Sequence, residues 1–210
     1  MVYIFDGLPH ISLEQLEYAS ALVPLSRREY AARYRFEKDR IQSIFAFLLL
    51  QYAVREEYSI EAALQLDYST GKPKAVGFES LHFNLSHCKL AVACALSATP
   101  VGVDVQDWEP RNLSVAKHVC SAEELAFLET AQEPPVEFAK LWTRKESYGK
   151  FTGKGIVYPM KELCLLGQSP EGTVMETLAL DGYALSYCAE EALKIRKVSI
   201  EALLQGREKD

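Results

Sequence analysis

Val101-Gly102-Val103-Asp104-Val105-Gln106 is the stretch on which the reading of this 210-residue chain turns. Valines at 101, 103 and 105 alternate with Gly102, Asp104 and Gln106, the period-two pattern of a half-buried strand. Such a strand points Asp104 and Gln106 to one side. Before it, Val2 to Phe5 reads as a strand. Ser12 to Leu22 reads as a helix opened by a Ser-x-x-Gln capping box, and Ser26 to about Tyr34 as another opened by Ser-x-x-Glu. Asp39 is expected to cap a long helix to Tyr58, with Ile41, Phe45, Leu48, Leu49 and Tyr52 as its core stripe. Short strands are predicted at Leu64 to Tyr68, His82 to Leu85 and Leu90 to Leu96, with Gly71-Lys72-Pro73 as a turn.

After the central strand the plan recurs. Ser121-Ala122-Glu123-Glu124 opens a short helix, Pro134-Pro135 interrupts, and Val136 to Phe151 forms a longer helix. Strands are predicted near Leu163, at Thr173 to Leu180 and at Tyr183 to Ala189, the last two joined through Asp181-Gly182 in hairpin position. Helices then strands, twice, indicates an α+β fold of two similar halves, 1–100 and 101–210, with no linker between them.

Composition sets bounds. With 49% hydrophobic and 25% charged residues the chain is ordinary for a globular protein, and it has no run of about 18 apolar residues to span a membrane. No basic stretch followed by an apolar one marks a signal peptide. The five cysteines are scattered without a Cys-x-x-Cys pair, which fits reduced thiols in the cytoplasm. A net charge of -6 argues against a general nucleic-acid binder.

Chemistry concentrates in three segments. In Trp142-Thr143-Arg144-Lys145-Glu146-Ser147, continued to Lys150, the four-residue spacing of Trp142, Glu146 and Lys150 puts a carboxylate and an ammonium on one helix face. Such a pair is also an ordinary surface ion pair. Asp104 and Glu146 together nevertheless suit Mg²⁺, which takes one or two carboxylates plus substrate phosphates. Phe83-Asn84-Leu85-Ser86-His87 ends a strand with a hydroxyl and an imidazole. Adjacent residues point to opposite faces of a strand, so they do not make a nucleophile and base pair. At a strand end both can reach one phosphate.

In order along the chain, Gly71-Lys72-Pro73, Phe83 to His87, Gly102 to Val105, Trp142 to Lys150 and Gly153-Lys154-Gly155 resemble the successive motifs of the Sfp-type 4′-phosphopantetheinyl transferases. These enzymes move the phosphopantetheine arm of coenzyme A onto a serine of a carrier protein. No single motif is specific, but their order and spacing together are, and looser likeness extends over Pro24 to Ser43 and Val198 to Leu204. The resemblance implies a monomer of two halves related by a pseudo-twofold, with the active site in the cleft between them. It implies Mg²⁺ on Asp104 and Glu146, the diphosphate at Lys150 and His87, and the nucleotide with its 3′-phosphate at Lys72, Ser86, Arg27 and Ser43. Glu146, or water beside it, is the candidate base. The implied partner is an apo acyl or peptidyl carrier protein, the product adenosine 3′,5′-bisphosphate.

Two positions depart from the pattern. Gln106 stands where the family often has a third acidic ligand, so it reaches the metal as a neutral amide, directly or through water. Gln42 stands where relatives tend to carry arginine, with Arg40 or Arg35 as the compensating cation. The alternative reading is a non-catalytic coenzyme A or carrier-protein binding module whose metal site has decayed at Gln106.

Overall fold

A computed structural model describes residues 1–69, 72–78, 80–155 and 160–205, with the side chains of 110–112 excepted. Gly71 of the sequence motif lies outside the described residues. In chain order the elements are β1 (Val2–Phe5), α1 (Leu13–Leu22), α2 (Leu25–Ala32), α3 (Glu37–Tyr58), β2 (Leu66–Asp67), β3 (Lys74–Ala75), β4 (His82–His87), β5 (Val92–Ser97) and β6 (Val101–Asp107). There follow α4 (Ala116–Val119), α5 (Ala122–Thr130), α6 (Pro134–Thr152), β7 (Val174–Ala179), β8 (Tyr183–Ala189), β9 (Ile195–Lys197) and α7 (Ile200–Leu204). The chain is α+β, as its periodicities indicate.

Local signals explain most boundaries. The capping boxes of α1 and α5 both form: Gln15 N donates to Ser12 Oγ at 3.1 Å and Ser12 N to Gln15 Oε1 at 2.9 Å, with Ser121 and Glu124 paired the same way. The expected box at Ser26 does not, because α2 starts one residue earlier behind Pro24 without a side-chain cap. Asp39 lies inside the first turn of α3 and leaves the cap position to Phe36; a carboxylate in that turn still favours the helix through its dipole. Pro134 and Pro135 do not interrupt α6 but begin it, since the first helical turn has no use for their missing N–H. Leu163 is not in a strand; Met160–Glu162 forms a single 3₁₀ turn before it.

Among the described residues two main sheets form, in the strand orders β4-β5-β1-β9 and β6-β8-β7, beside the small β2-β3 pair. On one side of the first sheet Tyr3, Phe5, Val92, Cys94 and Leu96 pack under α3. That helix is buried continuously from Ser43 to Leu50, wider than the predicted stripe, because α1, α2 and α7 cover its outer face. Facing the other way, Val2, Ile4, Ala93 and Ala95 meet Val101, Val103, Val105, Leu185 and Tyr187 of the second sheet. Small alanines on one side against branched and aromatic residues on the other let the two faces interlock. The valines of β6 are therefore buried between sheets, and the opposite face of β6 lies under α6.

β9 was not foreseen. It joins β1 in parallel, Val2 opposite Ile195, and carries Val198 and Leu203 into the core beneath α3. No described helix is long and apolar enough to cross a membrane.

Candidate functional site

Gly102 sets the distance between helix and sheet. A Cβ there would lie 1.9 Å from the Ser147 carbonyl oxygen and 2.6 Å from the Phe151 amide nitrogen, so only glycine lets α6 rest this close on β6. The approach brings Lys150 against Asp104, its Nζ 2.7 Å from Oδ1 and 2.9 Å from the Val103 carbonyl. Gly153, in the left-handed region at φ 72°, ends the helix just beyond.

β6 is the outer strand of its sheet, and its free edge is satisfied by side chains in place of another strand. Val103 N donates to Asn84 Oδ1 at 2.9 Å and Val105 N to Ser86 Oγ at 3.2 Å. The Val101 carbonyl accepts from Lys72 Nζ at 3.4 Å, and the same ammonium lies 3.4 Å from the Lys150 carbonyl. Ser86 in turn donates its proton to Asp104 Oδ1 at 2.7 Å.

Asp104 Oδ1 thus holds two donors. Its other oxygen, Oδ2, is buried with no hydrogen-bond partner among the described residues, and so is Glu146 Oε1. Native proteins rarely leave buried polar atoms unpaired, so two such oxygens on neighbouring carboxylates point to a missing partner of positive charge. Burial first, and then the Asp104 charge, lift the Glu146 carboxyl above its usual range, with Lys150 opposing. Among the described residues no group of three or more His, Cys, Asp or Glu is placed to share a metal. Two carboxylates are nonetheless the donor set of a Mg²⁺ ion that completes its shell with water and phosphate oxygens. The residues present fit that ion.

Beside this corner, Arg27, Ser43 and His87 line one cavity of about 230 Å³ together with Gln42, Tyr30 and Tyr68. Arg27 is buried: one guanidinium nitrogen donates to Tyr68, another to the Ser43 carbonyl at 2.5 Å, and its plane lies 4.9 Å from the Tyr30 ring. Arg27 Nε and Ser43 Oγ are buried without partners among the described residues, so the cavity wall offers two donors. His87 is exposed at the rim, where the surrounding protein and then the Lys150 ammonium lower its pKa. Lys72 is lowered for the same two reasons, in the same order.

The structure therefore gathers Asp104, Lys150, Ser86 and Lys72 along β6, with Glu146 of α6 close enough to feel the charges of Asp104 and Lys150, and Arg27, Ser43 and His87 in the adjoining cavity. Gln106 is half-buried, with its amide nitrogen 3.2 Å from both the carbonyl and a carboxylate oxygen of Asp107. Gln42 donates to the Cys88 carbonyl at 2.8 Å, tying α3 to the end of β4. Arg40 is turned to the Tyr34 and Arg35 carbonyls. Sequence reasoning missed Asn84, Tyr30 and Tyr68. For Asn84 a signal existed: it stands two residues before Ser86, so both must leave the same face of β4.

A family model described as the 4′-phosphopantetheinyl transferase superfamily matches residues 100–200. The chain is 29% identical to 4′-phosphopantetheinyl transferase psf-1 of Bacillus pumilus, over 89% of this chain and 87% of that one. It is 27% identical to 4′-phosphopantetheinyl transferase Sfp of Bacillus subtilis, over 92% and 95%. Against 4′-phosphopantetheinyl transferase gsp of Aneurinibacillus migulanus the identity is 29%, over 95% and 92%.

Proposed function

Because the chain belongs to the Sfp-type 4′-phosphopantetheinyl transferases, we propose that it transfers the phosphopantetheine arm of coenzyme A to a serine of an apo acyl or peptidyl carrier protein. The observation that carries the reading is the pair of unpartnered carboxylate oxygens, Asp104 Oδ2 and Glu146 Oε1, beside the Lys150 ammonium. Asp104 and Glu146 would hold Mg²⁺, with Gln106 reaching it directly or through water. When bound, the ion neutralises the diphosphate and serves as a template for it. Lys150 and His87 bind the diphosphate, and Lys72, Arg27 and Ser43 hold the nucleotide and its 3′-phosphate, the last two from the adjoining cavity. Phosphoryl transfer depends chiefly on positioning and charge stabilisation, which this arrangement supplies.

In the reaction the carrier serine oxygen forms a bond to the phosphorus bearing the pantetheine arm. The bond from that phosphorus to the bridging oxygen breaks, and adenosine 3′,5′-bisphosphate leaves with the electron pair. Glu146, directly or through a water beside it, accepts the serine proton.

The halves 1–100 and 101–210 are read as related by a pseudo-twofold, each a long helix on an antiparallel sheet, with the site in the cleft between them. In support, α3 covers one sheet, α6 the other, and the β4 and β6 edges meet at the site, although β9 and α7 cross back to the first half. The enzyme is read as a cytoplasmic monomer; the five free cysteines, four of them buried, agree with a reducing compartment.

The test is incubation with coenzyme A, Mg²⁺ and an apo carrier protein, followed by intact mass. Addition of the phosphopantetheine mass to the carrier is expected. Tight coenzyme A binding without transfer would replace this reading with that of a binding module.

A further inference from the structure

We propose that Asn84 and Ser86 are positioning residues that act as a substitute strand, holding the β6 edge so that Asp104 presents one chosen oxygen to the cation. The proposal rests on the metal reading given above. It differs from the expectation that Ser86 contacts the nucleotide.

Two hydrogen bonds set the register. Asn84 and Ser86 are two residues apart on β4, and the N–H groups they receive, from Val103 and Val105, are two residues apart on β6. The match fixes the two sheets along the strand direction, since a slip of one residue would face each side chain with the wrong backbone group. Both side chains are buried, at 7% exposure each, on the inter-sheet side of β4, where a polar residue is costly unless paired.

The Ser86 hydroxyl has one proton, and it goes to Asp104 Oδ1 at 2.7 Å. The oxygen of the same hydroxyl accepts a hydrogen bond from the Val105 N–H through a lone pair. With Lys150 also on Oδ1, that oxygen is loaded from two directions, and Oδ2 is left buried without a hydrogen-bond partner among the described residues, as is Oε1 of Glu146. Ser86 therefore orients the carboxylate by the logic through which outer partners tune metal ligands. Without it Asp104 keeps its charge but loses a constraint on its rotation.

The experiment uses Mn²⁺ as the probe, with free ion counted by electron paramagnetic resonance, on the full chain and on Ser86→Ala, Ser86→Thr and Asn84→Leu. Coenzyme A binding in EDTA is measured by calorimetry, and each variant is melted. For Ser86→Ala the Mn²⁺ Kd is expected to rise about tenfold while coenzyme A binding in EDTA is unchanged. Ser86→Thr, which keeps the hydroxyl, should retain most of the affinity, and Asn84→Leu should lose affinity together with melting temperature. Unchanged Mn²⁺ binding in Ser86→Ala overturns the proposal: with weaker coenzyme A binding Ser86 is a nucleotide contact, and with only a lower melting temperature it is structural. If the wild-type chain takes up no Mn²⁺ while the variants match it, the metal reading itself falls, and this inference with it.

Discussion

Lys145 and Glu146 are neighbours on α6, and each belongs to a buried charged cluster, but the two clusters are built in opposite ways. Lys145 pairs with Glu124 at 2.8 Å, with side chains 1% and 0% exposed. Its remaining protons go to the Met160 carbonyl at 2.6 Å and to the Leu163 carbonyl. Glu124 receives Ser121 N at 2.7 Å and Leu165 N at 2.8 Å, so both of its oxygens are occupied. One residue further, Glu146 and Asp104 are left short of partners. The first cluster fixes α6 to α5 and to the segment after the helix. The second sets two carboxylates beside a single lysine ammonium and leaves one oxygen of each carboxylate without a hydrogen-bond partner among the described residues. Burial of charge is common to both, and only the unmet hydrogen-bonding capacity separates a structural pair from a candidate site.

The comparison is broken most directly by removing the carboxylates. Asp104→Ala and Glu146→Ala should each lower transfer to the carrier on the order of 10³-fold while leaving the fold intact, as checked by product mass and circular dichroism. Near wild-type turnover in both would sink the assigned metal corner. Glu124→Ala should do the reverse. It strands the Lys145 ammonium in the interior at about 3–5 kcal/mol, a fall in melting temperature on the order of 10 °C, and any lost activity should return on cooling if the site itself is intact.

Lys72→Ala should weaken coenzyme A binding about tenfold, the scale of one charge-assisted contact. The penalty should be smaller for coenzyme A lacking its 3′-phosphate; equal penalties in calorimetry would remove Lys72 from the 3′-phosphate site.

A pH series sharpens the contrast further. Glu146 is raised above its unfolded value, so its folded form holds its proton more tightly, and its contribution to stability is fullest below the unfolded carboxylate range. That contribution is lost as pH rises toward the folded value. In EDTA, Glu146→Gln should therefore melt a few degrees above wild type at neutral pH, and the difference should vanish under acidic conditions. A constant difference across pH would show that the lifted carboxyl is not its source. The smallest effect is expected at Gln106→Glu: the Mg²⁺ concentration for half-maximal activity should drop by about threefold if residue 106 belongs to the metal shell. An unchanged titration in a stable variant places it outside.

Much of this was legible in the chain. The alternation at 101–106 specified a strand with its valines inward, because burial of one face tolerates no slip of register. The Trp142, Glu146 and Lys150 spacing specified one helix face, and the Ser12 and Ser121 boxes specified two helix starts, because capping is decided within four residues. Other local signals misled. Ser26 and Asp39 were competent caps that lost to Pro24 and Phe36, two and three residues earlier, and Pro134-Pro135 was an opening and not a break.

What the sequence by itself determined were the periodicities, the residue types of the site and their order along the chain. Tertiary structure alone decided which oxygen of Asp104 is loaded and which is left open, that Asn84 and Ser86 stand in for a missing strand, and that residues 195–197 close the first sheet beside β1. The reason is range. Capping and alternation act between residues a few positions apart, whereas the Ser86 to Asp104, Lys150 to Asp104 and Val2 to Ile195 contacts join segments whose proximity exists only after the two sheets have packed.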